Sequence, residues 1–146
     1  MSVLIAVFLF GFGLLAILRS LGGVTSSATQ NQNIAAIATF SNSFWGVVQS
    51  NPTLVANASF AGTFTSATIT SAPAALQPWL YAVNDRATGL PGAQATIATY
   101  ADAGSGTACA VSSGCTVKLT LQWTQIASSG QAASTRSQVF YYQFGL

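Results

Sequence analysis

The first eighteen residues, MSVLIAVFLFGFGLLAIL, carry no charged side chain and leave no polar face. Wound as a helix, Val3, Leu4, Ile5 and Val7, then Phe8, Phe10 and Phe12, then Leu14, Leu15, Ile17 and Leu18 would cover every side with hydrocarbon. Such a helix must be buried all round, by lipid or by other helices. Eighteen residues span about 27 Å, marginally enough for a hydrocarbon core of about 30 Å. Gly11, Gly13, Gly22 and Gly23 weaken an exposed helix and suit close helix-to-helix approach. Beyond Gly23 the all-round apolar surface gives way to one stripe: Ile34, Ile37, Phe44 and Val48, with Ser41 in the intervening place. No proline interrupts before Pro52, and Asn51-Pro52 ends the run, because the residue before proline avoids the helical region. The simplest reading is one helix of about fifty residues, wholly apolar over 1–28 and amphipathic over 29–51. Two helices broken at Gly22-Gly23 are the alternative.

Residues 52–146 read as a small globular domain with an antiparallel sheet. ANASFAGTFTSATITSAP suggests a connector or a short extended pair, and its sequon Asn57-Ala58-Ser59 reads as a chance match. AALQPWLYAVNDRATGLPGA holds a short helix, with Pro78 near its first turn, Trp79, Leu80 and Val83 as packing residues, and Gly89, Pro91 and Gly92 as punctuation. Three strand-like runs follow: AQATIATY, TVKLTLQWTQI and RSQVFYYQF. Period two is clearest in the second, where Val117, Leu119, Leu121 and Trp123 alternate with Lys118, Thr120, Gln122 and Thr124. A sheet with one covered face follows, and the helix stripe is its natural cover. The expected fold class is therefore α+β, a long N-terminal helix packed on a small antiparallel sheet.

Composition changes the picture in one respect. Only four basic and two acidic residues occur in 146, so 4% of the chain is charged, against roughly a quarter in ordinary domains. A surface so weakly self-repelling fits a subunit that works in an assembly. The net charge of +2 is dispersed over the chain through Arg19, Arg86, Lys118 and Arg136, which gives no basic patch of the kind nucleic acid requires. Catalytic chemistry is equally poorly served. There is no histidine or glutamate, and Asp85 and Asp102 belong to no acid-base motif. No serine has an evident activating base, and GSG at 104–106 lacks the Lys-Ser/Thr of a phosphate-binding loop. The sequence thus predicts no catalytic, cofactor-binding or metal-ligating residues.

Cys109 and Cys115 in TACAVSSGCTV are too widely spaced for a CxxC pair. A disulfide is the favoured reading, with two buried thiols as the alternative. Closing so short a loop would stabilise the domain by about 2 kcal/mol and would place it in an oxidising compartment.

The opening SVLIAVFLFGFGLLAILRSL resembles the N-terminal segment of type IV pilins, and together with FWGVVQSNP, QPWLYAVN, GLPGAQATI and VKLTLQWTQ it looks like the PilV-type minor pilins. The resemblance implies the type IV pilin fold and a structural subunit of a pilus filament. In that family a prepilin peptidase cuts before the apolar segment, so that Met1 would be the processed, N-methylated terminus. The resemblance further implies residence in the inner membrane before assembly. It then implies extraction by the pilus assembly machinery and helical stacking with itself or other pilins in an extracellular fimbrium, where residues from Val3 to Leu18 named above pack the filament core.

One departure is specific. Pilins generally place glutamate at the fifth position, and here it is Ile5. A buried carboxylate needs a partner, so its replacement removes both a desolvation cost and a registering contact and leaves docking to apolar packing. In the family this loss can mark a tip subunit, and shaft and tip roles both stay open. Two other readings of the chain are a type II secretion pseudopilin and a membrane-anchored module that never polymerises and adheres through Tyr81, Trp79 or the Cys109 to Cys115 loop.

Overall fold

The computed structural model describes residues 32–101, 109, 114–125 and 132–144. Helix α1 spans residues 32–50. A 3-10 turn at Pro52–Ala56 follows it, then strand β1 (Gly62–Thr65), a second 3-10 turn (Ile69–Ser71), helix α2 (Gln77–Val83), and strands β2 (Gln94–Ala101), β3 (Cys115–Gln125) and β4 (Ser134–Phe144). The strands form one antiparallel sheet in the order β1-β2-β3-β4.

The long N-terminal helix is corrected. Among the described residues the helix that lies on the sheet is 19 residues, about 28 Å, and the second helix has seven. Helical periodicity states which face is buried but not how far the helix runs. What packing against the sheet secures is the stripe Ile37, Ser41, Phe44 and Val48, all buried, and an amphipathic helix takes most of its stability from such packing. The apolar opening, including Met1 and the residues from Val3 to Leu18 assigned to a filament core, lies outside the described residues. Among the described residues no helix is long and apolar enough to cross a membrane. The stripe itself is one residue shorter than its spacing suggested: Ile34 is 64% exposed.

Alternation along β3 separates two faces. Val117, Leu119, Leu121 and Trp123 are buried with Ala95 and Ile97 of β2 and Phe64 of β1, while Thr63, Thr96, Thr120 and Val139 make one row across the outer face. Thr63 and Thr96 share a hydroxyl hydrogen bond of 3.1 Å there. The register of β3 with β4 is unbroken from Cys115 opposite Phe144 to Gln125 opposite Ser134, so Phe140, Tyr142 and Phe144 share the inner face with the β3 core.

The segment read as a connector or a short extended pair holds β1, and its sequon asparagine closes a local turn: Asn57 Oδ1 accepts from the Ser59 amide at 3.0 Å and from its hydroxyl at 2.8 Å. The LPG turn has a defined task. Leu90 donates to the Val83 carbonyl at 2.9 Å, capping α2, and the Pro91 carbonyl accepts from the Thr124 amide at 2.7 Å, tying the turn to the end of β3. Gly92 has φ of 59°, a left-handed conformation that glycine tolerates best.

Candidate functional site

The described chemistry concentrates where α1 meets β4. Ile34 and Asn33 stand beside Arg136, and Trp45 stands against Phe144, so helix and strand run in the same direction. At the C-terminal end the contact is aromatic. Phe44, fully buried, meets Trp79 at 5.0 Å, Tyr142 at 5.5 Å and Phe60 at 6.3 Å between ring centroids. Trp45 stacks on Tyr142 at 5.1 Å and meets Phe144 at 4.7 Å. Aromatic pairs of this kind contribute about 0.5 to 1.5 kcal/mol beyond the area they bury.

A polar pair sits inside this cluster. The Tyr142 hydroxyl donates to the Ser41 carbonyl at 3.0 Å. A phenol has a single proton, so in the 2.7 Å contact between the two hydroxyls Ser41 is the donor. Ser41 is the buried polar member of the helix stripe, and Tyr142 is what makes that burial affordable in free energy. Burial pushes the Tyr142 phenol above its ordinary range, and the Ser41 hydrogen bond opposes the shift. Trp79 is held in a similar way, its indole N–H donating to the Phe40 carbonyl at 2.9 Å.

At the other end of α1 the surface opens. Asn33, Ile34, Trp123, Gln125 and Arg136 line a cleft of about 220 Å³. Its one charge is oriented by a hydrogen bond from Arg136 Nε to Gln125 Oε1 at 2.9 Å. Its lining combines the apolar Ile34 and Trp123 with the polar Asn33 and Gln125 and the Arg136 guanidinium.

Of the residues proposed for adhesion, Trp79 is buried and Tyr81 is 53% exposed. They are two apart on one short helix and face opposite ways, so they form no joint surface. Cys109 and Cys115 are joined as a disulfide with Cα atoms 5.2 Å apart, within the ordinary bridging range. Both are buried, and Cys115 pairs with Phe144, so the bridge braces the aromatic end of the joint. Asp85 accepts from the amides of Ala87 and Thr88 through Oδ1, a turn-closing role. Asp102 lies outside the described residues. Among the described residues no three histidine, cysteine or acidic side chains gather, and no buried side-chain nitrogen or oxygen lacks a hydrogen bond.

Sequence reasoning missed the Ser41 and Tyr142 pair, although a hydroxyl in an apolar stripe was a signal that a polar partner must face it. It also missed the cleft, because Ile34 satisfied the helical spacing. No family model, curated protein or solved structure matches the chain.

Proposed function

We propose that the chain is a structural subunit of a type IV pilus filament, held in the inner membrane by its apolar N-terminal segment and polymerised through that segment. The observation that carries the reading is Ile34. It lies in the first described turn of α1, whose next turns are locked into the core, and it is left exposed beside a cleft. An apolar side chain there is ready to be covered by a neighbour. The low charge of the whole chain supports the same reading, since copies can approach without strong repulsion. Replacement of the usual glutamate by Ile5 leaves subunit docking to apolar packing, each large buried side chain contributing about 1.5 to 3 kcal/mol.

The test is mechanical. Shearing intact cells and sequencing the released appendages is expected to recover this chain outside the cell. Its retention in the envelope, with appendages lacking it, would refute the reading.

A further inference from the structure

We propose that the edge of β4 left uncovered by the described strands pairs with the same edge of a second copy, joining two four-stranded sheets into one of eight strands. This goes beyond the filament reading and does not depend on it. The sheet has two edges. One is β1, only four residues long; the other is β4, eleven residues long and paired to β3 along its whole length without a bulge. No described strand covers its other side. Unpaired backbone amides and carbonyls along a long flat edge form a template for another strand, which proteins ordinarily spoil with lysine, proline, bulges or brevity. STRSQVFYYQF has no lysine and no proline. Its single charge, Arg136, stands near the start and is tied back to Gln125.

The sequence of the strand favours a second copy as the occupant. A two-fold axis through Val139, the midpoint, overlaps all eleven residues antiparallel, and two such surfaces are isologous and closed. Arg136 then faces Tyr142 of the other copy, and the two arginines lie about 20 Å apart along the strands. Ser137 faces Tyr141, Thr135 faces Gln143, and Val139 faces Val139 on the outer face, where Val139 and Tyr141 are 37% and 65% exposed. No like charges meet, and every outward pair combines an apolar contact or a hydrogen bond of the kind that stabilises cross-strand neighbours.

A charge swap at the axis tests this in the purified full chain in detergent micelles, read by sedimentation. Val139 is at the surface, so Val139→Lys and Val139→Asp should each fold with the disulfide intact. Each variant alone places like charges directly opposite and is expected to weaken self-association by up to about fivefold; an equimolar mixture of the two is expected to recover it. A monomeric wild-type chain, association that ignores both substitutions, or a mixture no better than its components would each overturn the proposal.

Discussion

The two ends of α1 differ sharply. From Ile37 to Val48 the helix is fixed by a buried stripe, an aromatic cluster and the Ser41 to Tyr142 hydrogen bonds. At Asn33 and Ile34 the same helix borders an open cleft and leaves an aliphatic side chain in water. The same helix thus covers the sheet along one stretch and leaves an apolar side chain exposed in its first described turn. The contrast teaches that buried packing and an exposed apolar position are separated along the sequence by about one helical turn, and they should respond to different substitutions.

Truncating the buried end should have the largest effect. Phe44→Ala removes a side chain that touches Phe60, Trp79 and Tyr142, and is expected to cost about 3 to 5 kcal/mol, read as a lowered denaturant midpoint. Replacing both Cys109 and Cys115 by serine removes the brace beside Phe144 and should cost about 2 kcal/mol by the same measurement. Tyr142→Phe keeps the stack on Trp45 but strips two hydrogen bonds from Ser41, for a loss of about 1 kcal/mol. The same variant sharpens the comparison through pH. Burial raises the phenol's pKa in the folded protein, so the contribution of Tyr142 is complete below about pH 10 and is lost as pH rises through the folded value. The wild-type chain should therefore lose stability on the alkaline side more steeply than Tyr142→Phe. At the open end, Ile34→Ser should change folding stability by less than about 0.5 kcal/mol, and a larger loss would show that the two ends are not separable.

Much of the globular part was legible in the chain. Alternation placed the inner face of β3 from Val117 to Trp123, Asn51-Pro52 marked the end of α1, and Pro78 with Trp79, Leu80 and Val83 marked α2, because these signals are local and each has one geometric meaning. The length of the helix was not legible. Apolar periodicity states which face of a helix is buried and not how many turns it runs, and among the described residues the helix covers 32–50. β1 was legible only as one of two options, a connector or a short extended pair: GTFT is short and buries one large side chain, Phe64, so its pairing with β2 carries the information that its own sequence lacks. Of the interface, Ser41 was visible as an anomaly, but its partner is 101 positions away, beyond the reach of any local pattern.

The most direct test of the account is the accessibility of position 34 before and after assembly. An Ile34→Cys variant would be treated with a bulky, membrane-impermeant maleimide, once as sheared filaments and once as subunits released by detergent. Burial by a neighbouring subunit predicts slow labelling in filaments and fast labelling in released subunits. Equal labelling in the two forms, or filaments without this chain, would contradict it.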